Sequence, residues 1–385
     1  MKHLSLPDQS KYFELIRSTL KHLSGFLQMN YDFCSTRPAF LNFLVKNLFR
    51  LINSSYFPDR LLLFMPIILI VYSSVCLAAQ PTPISRSEVR NFITYMVNHH
   101  QYEIDELEKI FSQTNFRPDI LKLISTPASA ITWDEYRKRF VNMQRIRGGI
   151  NFWNKHASEL EQARKIYGIP EEIIVAIIGI ETAYGSSTGT YRIMDALTTL
   201  AFDFPRRADY FREELEQYLL LAREQKFGLL DIKGSYAGAI GIPQFMPGSY
   251  RRYAVDFNHD GKIDLSGSAA DAIGSIGNYL KEYGWEAGKP IAVRARIRSE
   301  NFQKFLDAGI EPLHSVKKLR EAGIIPLDSI TDDTLSALLE LNSQDNRQFW
   351  LGFRNFYAIT RYNRSTFYAM SVFELARAIR VARSS

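Results

Sequence analysis

The chain has 385 residues, 46% hydrophobic and 23% charged, the balance of a globular protein with a sizeable core rather than a disordered one. Its formal net charge of +6 is concentrated at one end: residues 1–78 carry 8 Lys+Arg and 4 Asp+Glu, leaving 39 against 37 in the rest. A remainder so nearly neutral excludes the broad basic face of a nucleic-acid binder, and no nucleic-acid partner is expected.

Residues 1–60 read as an upstream extension, consistent with a start codon placed too early. Residues 61–79 then carry no charge, with a dense apolar run from Leu61 to Val71 followed by Ser73, Ser74, Ala78 and Ala79. The run reads as the apolar region of an export signal with cleavage near Ala78; an uncleaved membrane anchor is the competing reading, since the stretch is just long enough to span. A lipid anchor on Cys76 is disfavoured by Val75, a bulky residue where a small one is wanted. The two cysteines, Cys34 and Cys76, both precede the cleavage region, so the exported part has neither disulfide nor thiol nucleophile.

Beyond Pro81-Thr82-Pro83, apolar residues recur at three- and four-residue intervals over 87–97, 104–111, 151–167 and 206–226, the period of amphipathic helices. Residues 291–297 alternate in steps of two, as does part of 349–362, which predicts a small sheet before a last helix over 365–380. The expected class is mainly α (α+β). The expected divisions are a helical region over 86–165, a core over 166–285, a β-containing subdomain over 286–348, and a strand and helix over 349–385 that complete the core.

Glu181 stands out. It follows the apolar run Ile173-Ile174-Val175-Ala176-Ile177-Ile178 in the segment Gly179-Ile180-Glu181-Thr182-Ala183-Tyr184-Gly185. Pro170 is placed at the first helical position, Glu171 and Glu172 set negative charge in the first turn, and Gly185 is expected to end the helix. A carboxylate in apolar surroundings loses hydration mainly in its ionised form, so its pKa rises and it can serve as a general acid. A salt-bridged glutamate capping a buried helix is the alternative. Residues 234–250 form a second cluster, four glycines and two prolines among aromatics, which reads either as a rigid groove loop or as structural punctuation. The 20 Tyr, 26 Phe and 4 Trp serve either sugar stacking or core packing.

Taken with Pro205-Arg206-Arg207-Ala208-Asp209-Tyr210-Phe211, Asp271 to Tyr279 and Thr360-Arg361-Tyr362-Asn363-Arg364-Ser365, these clusters closely resemble the B-type membrane-bound lytic murein transglycosylases, in order from about residue 86 to 380. The resemblance implies a lysozyme-like helical core, location in the periplasm or cell envelope, and cleavage of the MurNAc-GlcNAc bond of peptidoglycan to give 1,6-anhydromuramoyl ends. Peptidoglycan glycan strands are the expected partner, with other cell-wall enzymes as further candidates. By motif, Glu181 matches the single catalytic acid/base, Ser235 and Gln244 match groove residues beside the scissile sugar, and Tyr279, Asn363 and Tyr136 match positions lining the cleft, packing being the alternative for the two tyrosines. Arg206 and Arg207 match residues facing the peptide stems, or are solvated charges at a helix start. With one carboxylate in the motifs where a hydrolase pairs two, Glu181 is expected to protonate the glycosidic oxygen and later to deprotonate the C6 hydroxyl of the sugar, with no catalytic cofactor. Asp195, Asp203 and Asp231 are the candidate second carboxylates. Two other functions stay open: a muramidase-type hydrolase and a non-catalytic peptidoglycan-binding protein.

Residues 256–264 fit the first nine positions of an EF-hand loop, with Asp256, Asn258, Asp260 and the Lys262 carbonyl as oxygen ligands and Gly261 at the sharp turn. Gly267 stands at the twelfth position where a bidentate Glu belongs, and the resemblance assigns the closing carboxylate to Asp271. A structural Ca²⁺-class ion (or Na⁺) is expected, against an empty Asp/Asn-rich turn.

Overall fold

The chain divides into two units, Met1–Ala79 and Gln80–Ser385. The computed structural model describes residues 83–125, 131–343 and 347–384, all in the second unit. The upstream extension, the export or anchor segment, Cys34 and Cys76 therefore lie outside the described residues. Among the described residues no helix is long and apolar enough to cross a membrane.

After a 3-10 turn (Pro83–Ser85), helices α1 (Ser87–His100), α2 (Ile104–Ser112) and α3 (Pro118–Ser125) lead to α4 (Trp133–Phe140), α5 (Met143–Lys155) and α6 (Ala157–Tyr167). A reciprocal capping box opens α4: Thr132 Oγ1 accepts from Glu135 N, and Glu135 Oε2 accepts from Thr132 N. Next comes α7 (Glu171–Thr182), whose residues Ile173 to Ile178 are all buried. β-Branched residues are indifferent helix formers, so this helix is held by burial on all sides rather than by propensity. It packs on α5, α6 and the last helix, α15 (Thr366–Ser384). Pro170 is its N-cap rather than its first helical residue, and the helix stops at Thr182, before the expected Gly185. Ala183 N and Tyr184 N donate back to Gly179 O and Ile178 O, so the chain has already turned when it reaches the glycine.

A short ribbon, β1 (Tyr191–Arg192) with β2 (Lys233–Gly234), brackets α8 (Ile193–Asp203) and α9 (Ala208–Gln225); α10 (Pro247–Tyr253) and α11 (Ala269–Glu282) follow. Five strands then form an antiparallel sheet in the order β4-β6-β7-β3-β5, made of β3 (Ala292–Ile297), β4 (His314–Ser315), β5 (Ile324–Pro326), β6 (Leu335–Asn342) and β7 (Arg347–Gly352). With α12 (Gln303–Asp307) and α13 (Val316–Glu321), the sheet encloses a small core of its own around Val293, Phe305, Leu319 and Leu351. The alternation read over part of 349–362 holds as far as Gly352, the end of β7; beyond it buried Phe353, Phe356 and Ile359 are spaced by three, and α14 (Arg354–Tyr362) takes up the rest. It leads into α15, which rejoins the main core. The mainly α class with a small sheet is as expected.

Candidate active site

Glu181 lies one residue from the end of α7 and is only partly accessible to solvent. Tyr368 of α15 donates its hydroxyl to Glu181 Oε1 at 2.6 Å. Burial lifts the Glu181 pKa from 4.5 to about 7, and the Tyr368 hydrogen bond opposes the rise. Among the described residues no cation and no second carboxylate contributes to that shift. Three phenols stand in the field of the carboxylate, Tyr136 of α4, Tyr362 of α14 and Tyr368, and each has its own pKa raised first by burial and then by the Glu181 charge. The result is an acid that is substantially protonated at neutral pH, in a site of neutral hydrogen-bonding groups.

The three carboxylates weighed as second catalytic groups are occupied or exposed elsewhere. Asp195 is buried, takes both oxygens to Arg192 and accepts from Asn115 N; Asp203 pairs with Arg86; Asp231 is exposed in the turn before β2.

The 234–250 loop folds back on itself through bridges Gly234 to Ile240 and Ile240 to Phe245. It lies close against the chain that follows Glu181: a Cβ on Gly189 would sit 2.0 Å from Gly234 O, and Thr182 Oγ1 donates to Ile242 O at 2.9 Å. Gln244, held at φ 52°, donates Nε2 to Thr188 O (3.0 Å) and Gly241 O (2.9 Å). With its amide hydrogens used, it can offer a ligand only its carbonyl oxygen. Ser235 Oγ accepts from Ala239 N at 3.0 Å, which leaves its O–H as a donor.

One wall of the site is aromatic. The Tyr362 ring stacks parallel to Tyr368 at 6.3 Å and lies 5.0 Å from Tyr279 and 5.7 Å from Phe245, and its hydroxyl donates to Pro243 O. Tyr279 is buried and spends its hydroxyl on Arg361 O (2.6 Å), whereas Asn363, next to Tyr362, is exposed. Tyr136 packs on Phe140 and Phe367. Of the residues singled out in the sequence, Tyr136 stands in the field of Glu181, Tyr279 packs on Tyr362, which does so too, and Gln244 holds the Thr188 carbonyl of the segment that follows Glu181; no such link ties Arg206 and Arg207 to it. Those two lie exposed in the 3-10 turn Pro205–Arg207, with the Arg207 guanidinium 4.3 Å from the Tyr210 ring centre. Tyr362 and Tyr368 were not singled out. Tyr362 sits inside one of the quoted motifs, but Tyr368 lies in an apolar helix with no local signal.

The EF-hand-like loop lies outside this cluster and braces it. Asp256 accepts from the backbone N–H of Asp260 and Gly261, and Asp260 Oδ1 accepts from Lys262 N. Buried Asp271 accepts from Phe257 N and Asn258 N on Oδ1 and from Asp264 N on Oδ2, tying the two arms together. Among the described residues no three His, Cys, Asp or Glu side chains converge as a metal cage. The oxygen set of Asp256, Asn258, Asp260 and the Lys262 carbonyl nevertheless fits a hard cation, since each side-chain oxygen bound to one N–H keeps a second lone pair. Beyond it, Ile242 N donates to Leu265 O at 2.7 Å and Tyr250 O–H to Ile263 O at 2.6 Å, which fastens the groove loop to the metal-type loop.

Comparison with known proteins agrees with this geometry. Residues 85–377 match the family described as the transglycosylase SLT domain. Over 304 residues, 76% of this chain and 83% of the other, the sequence is 42% identical to the membrane-bound lytic murein transglycosylase B of Escherichia coli K12. The Escherichia coli lytic transglycosylase Slt35, solved in complex with calcium, superposes with a TM-score of 0.71 at 41% identity, covering 78% of this chain and 94% of that one. SltB3 of Pseudomonas aeruginosa, solved with NAG-anhNAM-pentapeptide, gives a TM-score of 0.67 at 28% identity, covering 76% and 79%. The lysozyme-like fold implied by the resemblance is therefore present, and the chain belongs to the lytic murein transglycosylases, enzymes that cleave peptidoglycan.

Proposed function

We propose that Glu181 alone serves as acid and then base, and that the products end in 1,6-anhydromuramoyl groups. In the first step the neutral carboxyl gives its proton to the glycosidic oxygen as the C1–O bond breaks, and the N-acetyl oxygen of the same sugar bonds to C1. In the second, the C6 hydroxyl attacks C1, displaces that oxygen, and returns its proton to the Glu181 carboxylate, so no water is consumed. The observation that carries this reading is the isolation of Glu181: burial raises its pKa to about 7, with no partner carboxylate among the described residues acting on it, whereas a hydrolase needs one to activate water or attack. The attacking hydroxyl already belongs to the substrate, an entropic advantage of several kcal/mol. The anhydro-sugar ligand of SltB3 fits the same product. Ser235 would donate to the substrate, Gln244 accept from it, Asn363 and the rings of Tyr136 and Tyr279 line the cleft, and Arg206 and Arg207 meet stem-peptide carboxylates.

Asp256, Asn258, Asp260, the Lys262 carbonyl and Asp271 would hold a Ca²⁺-class ion, which would supply structural stability when bound; Slt35 crystallised with calcium supports this. Export follows from the uncharged stretch at 61–79 and from a substrate outside the cytoplasm, and N-terminal sequencing of native protein should find a start just after Ala78 or Ala79.

Digestion of purified peptidoglycan followed by mass spectrometry tests the chemistry. Fragments one water lighter than muramidase products are expected, and Glu181→Gln should lose at least ~10²-fold in rate. Predominantly reducing ends would make the enzyme a hydrolase with a second carboxylate.

A further inference from the structure

Directly after Glu181 and Thr182, three residues in a row have left-handed backbone: Ala183 (φ 51°), Tyr184 (φ 64°) and Gly185 (φ 84°). Two of them carry a Cβ, which costs about 1–2 kcal/mol each. Such a turn persists only if something outside it holds it. The Tyr184 side chain reaches back between α5 and α7 into a slot formed by three glycines. A Cβ on Gly148 would lie 2.6 Å from ring atom Cε2, one on Gly149 2.8 Å from the hydroxyl, and one on Gly179 2.6 Å from it. All three glycines sit inside helices, where each is about 1 kcal/mol less favourable than alanine. Gly149 also makes room for Ile379 of α15, whose Cδ1 would lie 2.5 Å from an added Cβ, whereas Gly148 and Gly179 make room for this ring alone.

At the bottom of the slot the Tyr184 hydroxyl donates to Arg145 O at 2.5 Å, and the Arg145 guanidinium donates to Gly179 O, the same carbonyl that accepts Ala183 N. Arg145 thus fastens the end of α7 and the ring that follows it to one point on α5. On the opposite side, Thr182 Oγ1 accepts from Gly185 N and donates to Ile242 O. The turn is therefore fixed on two sides, with Glu181 at its base.

From this geometry we infer that Tyr184 is a positioning residue for Glu181: its ring, locked in the Gly148, Gly149 and Gly179 slot, holds the left-handed turn that keeps the Glu181 carboxyl on Tyr368 and out of solvent. Freed of that anchor, the turn relaxes to an ordinary helix end, the carboxyl reaches water, and the proton needed for the first chemical step is lost at neutral pH. The role in the reaction rests on the reading of Glu181 as the acid, and the test separates the two.

Two variants of the full chain, Tyr184→Phe and Gly148→Ala, are compared with wild type by carboxyl ¹³C NMR titration, with the Glu181 signal assigned by its absence in Glu181→Gln, and by pH profiles of kcat and KM. The first removes the hydroxyl bond. The second displaces the ring while improving helix propensity, so a fold that tolerates it poorly cannot be blamed on the helix. The Glu181 pKa should fall by about one unit or more in both, which is the tenfold preference for ionisation that lost desolvation gives. The alkaline limb of kcat should move down with it, and KM should change less than about twofold, since ground-state binding is not involved. If Tyr184→Phe does not melt cooperatively, Gly148→Ala decides. An unchanged Glu181 titration in a folded variant overturns the inference whatever the rates do. Full activity in Glu181→Gln would instead overturn the acid assignment and leave the NMR result standing as the measure of positioning.

Discussion

Replacing Glu181 by glutamine should make the protein more stable, and only above a definite pH. The folded state holds the Glu181 proton with a pKa of about 7, against 4.5 for an ordinary glutamate. Below about pH 4.5 the group is protonated in both states and has no effect on the balance. Between about pH 4.5 and 7 the unfolded chain gains by ionising while the folded one does not, so wild type loses stability through that window and then levels off. A difference of about 2.5 units corresponds to about 3.4 kcal/mol for full desolvation, and partial access of solvent to Glu181 lowers the expectation to about 1–3 kcal/mol. Glutamine keeps the shape and can still accept the Tyr368 hydroxyl, but has no proton to lose. Melting temperatures of the two proteins, measured by calorimetry from pH 4 to 8.5, should coincide at pH 4 and separate to about 2–6 °C in favour of Glu181→Gln above pH 7, at about 2 °C per kcal/mol for a unit of this size. All other titrating groups cancel in the difference. A gap independent of pH, or a wild type that is the more stable protein at pH 8, would refute the desolvated carboxyl.

The same proton sets the pH dependence of turnover: kcat should hold below and decline through about pH 7 as the acid ionises, and a profile flat to pH 9 would contradict it. Tyr368→Phe removes a hydrogen bond that favours the carboxylate, so the alkaline limb should move upward, opposite to Tyr184→Phe; ¹³C titration checks the sign directly. Calcium should raise the melting temperature of chelator-treated protein, by about 2.7 kcal/mol of stability at a hundredfold excess over Kd, and Asp256→Ala with Asp260→Ala should abolish the response.

Local signals in the sequence anticipated the surroundings of Glu181. An apolar run with a terminal carboxylate is a local pattern, and burial of Ile173 to Ile178 follows from it. The loop at 234–250 was equally plain, because glycine and proline announce themselves. What escaped was the partnership across the fold. Tyr368 is an aromatic on a buried helix face like many others, and only the packing of α15 on α7 brings its hydroxyl to Glu181. The stop of α7 was misplaced for a related reason: the helix end was assigned to Gly185 by residue type, while the structure has left-handed backbone already at Ala183 and Tyr184, whose cost is met by a side-chain anchor that no local rule contains. Likewise Gly352 separates a strand from a helix in a stretch where alternation and three-residue spacing briefly coincide.

α15 grips α7 at both ends, through Tyr368 on Glu181 and through Arg380 on buried Glu172. This has a consequence in time. A polypeptide is made from its N-terminus, and Tyr368 is added 187 residues after Glu181. Without the burial that α15 contributes, the carboxyl at 181 would be expected to ionise at neutral pH like an ordinary glutamate. On the proposed mechanism, an enzyme able to cut the polymer that holds a cell together would therefore lack its acid until α15 folds into place.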